Sequence, residues 1–168
     1  MPLCLCYNAV VKITLIQVGK TKTAYLKEAE TEYLKRLGPY AKIDVVTVKA
    51  CSGEDSGLAA RQVAKKKEAE EILKAIPLDS FVIALDETGR QFTSPEFAEI
   101  IRKNRDFEGG SIIFITGGSY GLDSSVLAKA NLRLSFGKFT FTHEIIRTLL
   151  LEQVYRAFTI ITGKTYHY

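Results

Sequence analysis

The chain has 168 residues, enough to bury one sizeable core and short for two domains. An apolar fraction of 46% and a charged fraction of 25% belong to a folded globular domain and exclude disordered and fibrous classes. The net charge is +4, and all of it lies from Lys129 onward, where six Lys or Arg stand against two Glu; the preceding 128 residues balance. A neutral body with a basic, aromatic tail that holds both histidines suits a polyanionic partner.

Residues 1–10 read as an N-terminal extension ahead of a single domain over 11–168. They lack a basic leader, so no secretory signal is expected, and no apolar run reaches the roughly 20 residues that span a bilayer; a cytoplasmic address and no membrane partner follow. Val11 is what an in-frame alternative start codon would leave behind a misplaced upstream start, in which case the intact mass of the native protein lacks residues 1–10. Cys4, Cys6 and Cys51 form neither a disulfide framework nor a zinc set: their number is odd, no C-x-x-C spacing occurs and the histidines lie far off. No metal is expected.

In chain order, strands are predicted at 12–18, 43–48, 81–85, 112–116 and 132–136, alternating with helices at 23–37, 59–76, 94–105 and 123–129. The strands are apolar on both sides, as in a mainly parallel sheet covered on two faces, so the fold class is α/β. The third helix opens with Ser94-Pro95-Glu96, a capping hydroxyl, a proline at the first helical position and an acid in the first turn. Lys65-Lys66-Lys67, followed by Glu68, Glu70 and Glu71, reads as a solvated helix face. Residues 50–57 are the one segment whose small and polar composition suits disorder. A last helix, from about His143 to Thr162, lines up Ile146, Leu149, Leu150, Val154, Ala157 and Ile161, with Leu151 and Phe158 widening the stripe enough for burial on two sides.

Gly117-Gly118-Ser119-Tyr120-Gly121 stands between a strand and a helix, where backbone N–H groups can approach a ligand closely or simply make a tight turn. A dinucleotide fold is disfavoured because the glycines follow the fourth strand, and no acid appears about 20 residues later. His143 at a helix start favours a neutral imidazole that can accept a proton, or a plain packing role. Arg156 after Glu152 and Arg147 after Glu144 fit exposed helical ion pairs, yet with Tyr155, Tyr166, His167 and Tyr168 they also fit stacking and phosphate contacts to an unstacked RNA base.

Several colinear motifs resemble one family. They are Lys12-Ile13-Thr14-Leu15-Ile16-Gln17-Val18-Gly19-Lys20, Glu32-Tyr33-Leu34-Lys35-Arg36-Leu37-Gly38-Pro39-Tyr40 and Leu85-Asp86-Glu87-Thr88-Gly89-Arg90. Thr116-Gly117-Gly118-Ser119-Tyr120-Gly121-Leu122, Leu134-Ser135-Phe136, Thr140-Phe141-Thr142-His143, Glu152-Gln153-Val154-Tyr155-Arg156-Ala157 and Tyr166-His167 complete the set. The chain resembles the RlmH family of SPOUT methyltransferases, which use S-adenosyl-L-methionine to methylate N3 of a pseudouridine in 23S ribosomal RNA.

That resemblance implies an α/β-knot domain whose C-terminal segment forms a trefoil knot, an obligate homodimer, and 23S rRNA within the assembled ribosome as partner. It implies a cofactor pocket lined by Leu85, Gly117, Phe136, Gly137, Lys138, Phe139, Thr140 and Phe141. His143, Arg147, Tyr155, Arg156, Tyr166 and His167 would face the RNA. His143 or His167 would accept the N3 proton, and Arg147 and Arg156 would steady the developing anion or grip phosphates. Thr142 stands where the family usually has proline, and Tyr168 where it commonly has a basic residue. The alternative reading is a non-catalytic ribosome-binding factor that keeps the fold.

Overall fold

The computed structural model describes residues 11–51, 57–105 and 111–166. The expected N-terminal extension with Cys4 and Cys6, most of the 50–57 segment, His167 and Tyr168 lie outside the described residues. Five strands run in the order β2-β1-β4-β3-β5, every pair parallel. They are β1 (Val11–Val18), β2 (Ala41–Val48), β3 (Phe81–Arg90), β4 (Ser111–Thr116) and β5 (Leu132–Leu134). The helices are α1 (Ala24–Leu37), α2 (Leu58–Ala75), α3 (Ser94–Arg105), α4 (Ser124–Lys129) and α5 (Ile145–Ile161).

Alternation along the strands makes two cores. Val11, Ile13, Leu15, Ile112 and Phe114 meet Leu37 of α1, Phe97 and Ile101 of α3, and Leu150, Val154 and Phe158 of α5. Ile16, Val18, Ile113 and Ile115 meet Ala69 and Ile72 of α2 and Val126 of α4 on the other face. At about 1.5–3 kcal/mol for each large aliphatic or aromatic side chain removed from water, these layers drive folding. The α/β class with a parallel sheet holds as expected.

Besides a start of β2 two residues early at Ala41 and one-residue shifts elsewhere, three elements depart from their expected bounds. β3 continues past Leu85 to Arg90 because both Leu85 and Arg90 pair with Leu134, while 86–89 bulge outward between them. The return is close: a Cβ on Gly89 would lie 2.7 Å from the Arg133 carbonyl carbon and oxygen, so only glycine fits. β5 stops at Leu134, where Ser135 N–H turns to Arg90 O (2.9 Å) and the Ser135 hydroxyl to the carbonyl of Gly137 (2.8 Å).

α5 starts at Ile145, two residues later than predicted, with the Thr142 hydroxyl accepting the Ile145 N–H at 3.3 Å. Thr142 therefore supplies a capping acceptor where proline would supply only rigidity. Packing against both α1 and α3, α5 buries Arg147, Leu150, Leu151, Val154, Ala157, Phe158 and Thr159, whereas Ile146, Leu149 and Ile161 are only partly covered.

Candidate cofactor cleft and basic-aromatic patch

The connection leaving β3 runs through α3 on one face of the sheet, and that leaving β4 runs through α4 on the other. Neighbouring parallel strands whose helices part in this way leave a crevice at their carboxyl ends. A cleft of about 1080 Å³ opens there, floored by Leu85, Thr116, Gly117 and Leu134 and walled by Phe136, Phe139, Thr140, Phe141 and His143. Gly137 and Lys138 belong to the same strip of chain without lining the cleft. Thr116 is fully buried and its hydroxyl oxygen has no partner among the described residues.

The glycine turn is held tightly. Gly121 N–H donates to Gly118 O at 3.1 Å, and Gly121 sits at φ +74°, a backbone region that favours glycine. A Cβ on Gly118 would come within 3.0 Å of Val18 Cγ1 and 3.3 Å of Glu68 Oε2. Glu68 is itself buried and accepts the Cys51 N–H at 2.9 Å; burial raises its pKa despite that bond.

The cleft also recruits residues the sequence did not assign to it. Arg61 of α2 stands over the Tyr120 ring at 5.5 Å, and Lys65 lines the same wall. Lys65 is half-buried, so the lysine run is a solvated face only at Lys66 and Lys67. Asp86 and Arg133 also line the cleft, and Asp86 Oδ2 accepts Arg133 Nε–H at 2.8 Å. Partial burial pushes the Asp86 pKa up, but Arg133 and Thr88 outweigh it and hold the carboxyl below its usual value.

His143 lies in the turn before α5 and lines the cleft. Its neighbour Glu144 accepts the backbone N–H groups of Lys22 (3.0 Å) and Thr23 (3.1 Å). The Thr23 side chain and these N–H groups pull the Glu144 pKa from 4.5 down to about 2. A pKa lower in the folded state contributes stability that is complete above 4.5 and is lost as pH falls toward 2. The urea midpoints of wild type and Glu144→Gln are expected to differ by a constant amount near neutral pH and to converge in acid; a gap that persists in acid would assign the effect elsewhere.

Arg147 does not take the exposed position expected of an RNA contact. It is wholly buried, with its guanidinium on the Val18 carbonyl at the end of β1 and the Thr21 hydroxyl in the turn that follows.

Arg156 and Tyr166 come together elsewhere. Glu152 Oε1 accepts Arg156 Nε at 3.0 Å and Nη2 at 2.7 Å, and the guanidinium lies 5.0 Å from the Tyr166 ring centroid. Tyr155 meets Tyr166 edge-on at 4.8 Å, with Tyr33 and Tyr40 beside them and Arg36 and Lys164 over their rings. Burial and the Tyr33 hydroxyl push the Tyr166 pKa up to about 12, so its phenol stays protonated. Ten residues of α5 separate Ile146 at the cleft from Arg156, about 15 Å at 1.5 Å per residue. One chain therefore holds the cleft and this patch apart.

Among the described residues no three His, Cys, Asp or Glu side chains converge in a way that could hold a metal, and no helix is long and apolar enough to cross a membrane.

A family model described as "Predicted SPOUT methyltransferase" matches residues 11–167. The chain is 46% identical over 157 residues to "Ribosomal RNA large subunit methyltransferase H" of Carboxydothermus hydrogenoformans, covering 93% of this chain and 99% of that protein. It is 47% identical over 156 residues to the protein of the same name from Clostridium beijerinckii, covering 92% and 98%. A solved structure, "a probable methylase family protein from Haemophilus influenzae Rd KW20", superposes with a TM-score of 0.51 at 17% identity, covering 94% of this chain and 70% of that one; this likeness concerns the fold alone.

Proposed function

The chain belongs to the SPOUT methyltransferases and, within them, to the RlmH family, and on that footing we propose that it methylates N3 of a pseudouridine in 23S ribosomal RNA, using S-adenosylmethionine, on the assembled ribosome in the cytoplasm. The observation that carries this reading is the convergence of Leu85, Gly117 and the 136–143 strip on one cleft at the carboxyl ends of β3 and β4.

The cleft fits the cofactor. Its volume is ample for a nucleoside joined to an amino acid. Leu85, Leu134 and Phe136 offer apolar surface to a purine, and the glycine turn with Phe136 and residues 139–141 offers polar edges. When bound, S-adenosylmethionine would supply a methyl group activated on a sulfonium, its S–CH3 bond breaking with the electron pair left on sulfur as a neutral thioether. The chain's own residues then have to position the base and take up its proton. His143, in the cleft wall, accepts the N3 proton as the N–methyl bond forms; His167 is the other candidate.

Arg156 and Tyr166 steady the imide or hold flanking phosphates. Their separation from the cleft supports a homodimer in which the C-terminal patch of one subunit completes the cleft of the other, and family membership supports a C-terminal trefoil knot. A net charge of +4 is modest for gripping naked RNA, which favours a substrate presented by the ribosome.

The test is incubation with S-adenosylmethionine and ribosomes lacking the modification, followed by mass spectrometry of 23S RNA. Methylpseudouridine is the expected product. Cofactor binding without this product would move the substrate to another RNA base, and no cofactor binding would leave a non-catalytic ribosome-binding factor.

A further inference from the structure

The 136–143 strip is held at its ends and not along its length. Residues 138–141 make no hydrogen bond to any other described residue, and Phe139 is 81% and Phe141 42% exposed. At one end the Ser135 hydroxyl grips Gly137. At the other end stand Glu144 and Arg147, and both reach more than 120 residues back along the chain.

Glu144 takes the N–H groups of Lys22 and Thr23, while Arg147 Nη1 donates to Thr21 Oγ1 at 3.2 Å and Nη2 to the Val18 carbonyl. The Thr21 hydroxyl in turn donates to Glu30 of α1 at 2.7 Å. Burial alone would penalise the Arg147 charge, and Glu30 and Glu144 oppose that penalty. Two neighbouring side chains thus fasten the start of α5 to both ends of the turn between β1 and α1.

We propose that Glu144 and Arg147 are positioning residues for the cleft: they pin the 136–143 strip against the turn between β1 and α1, and so fix the shape of the cleft before a ligand enters. A strip with bonded ends and an unbonded middle keeps its order only through its anchors, and a wall ordered in advance spares the ligand the entropy of ordering it. The pair acts through the strip, without touching the reacting atoms. This inference rests on the cleft being the S-adenosylmethionine site for one of its two readouts.

Both readouts use the full-length protein. Without ligand, hydrogen exchange in Glu144→Gln is expected to quicken over 136–146 and 19–23 and to remain as in wild type across β1, β4 and α3. The affinity for S-adenosylmethionine, by calorimetry, is expected to fall about 10-fold, with the cofactor KM rising more than kcat falls. Arg147→Met should reproduce the pattern; should it fail to fold, Glu144→Gln alone decides. Unchanged exchange, or local loosening with unchanged affinity, overturns the proposal. If wild type itself binds no S-adenosylmethionine, the proposed function falls, and the exchange comparison still decides whether the pair pins the strip.

Discussion

Gly117→Ala is expected to weaken S-adenosylmethionine binding by about 100-fold, equivalent to about 2.7 kcal/mol, in a protein that still folds. The added Cβ would stand 2.8 Å from the Gly121 carbonyl carbon, 3.0 Å from Leu122 N and 3.1 Å from Gly121 Cα. All three are backbone atoms of the returning limb of the same turn, so no side chain can swing aside. The returning limb cannot retreat freely, because Leu122 is anchored in the core beneath α2 and α4. The remaining movement brings the 117–118 limb into the cleft, where the cofactor has to lie. Overpacking of this kind costs about 1–3 kcal/mol, within the margin of an ordinary domain. Calorimetry with a thermal melt separates the two effects. An affinity within about threefold of wild type would mean that the glycine turn does not bound the cofactor site.

What the sequence made visible follows the range of the interactions involved. α3 lies at its expected bounds because its proline, first-turn acid and apolar spacing are all local, but its cap is Thr93, whose hydroxyl accepts the Glu96 N–H at 3.4 Å, and not Ser94, whose hydroxyl donates to Gln153 Oε1 at 3.1 Å. β1 and β4, apolar on both faces, were equally clear. The end of β3 was not, since Asp86-Glu87-Thr88-Gly89 has no strand character and Arg90 is recruited by a partner strand more than 40 residues away. Local sequence left the glycine turn open between a ligand contact and a plain turn, and only the set of colinear motifs pointed to a cofactor cleft. Arg147 shows the limit most plainly: helical spacing pairs it with Glu144 at the surface, whereas its partners Val18 and Thr21 come from the other end of the chain. The cleft-facing position of Lys65 depended likewise on where α2 packs and not on the lysine run itself.

Arg156→Ala is expected to lower RNA methylation by about 100-fold, the scale of losing one charged stabiliser of a transition state, while the affinity for S-adenosylmethionine stays as in wild type. The separation in effect follows from the separation in space. Arg156 lies about three helical turns along α5 from the cleft-lining Ile146, and none of its partners, Glu152, Tyr166 and the neighbouring tyrosines, lines the cleft. Glu152 fixes two of the guanidinium nitrogens and raises the Arg156 pKa further, so the group is charged at every working pH. The side chain is about one quarter exposed, which leaves an edge of the fork free for a phosphate or an imide oxygen. Its removal strips the Tyr166 ring of a cation–π partner and leaves Glu152 without its ion pair, so the patch loses both its charge and the device that orients its aromatic rings. Arg156→Lys retains the charge but not the fork, and should recover only part of the activity. Equal loss of cofactor binding and methylation in Arg156→Ala would mean that the patch supports the cleft of its own chain and does not meet the RNA.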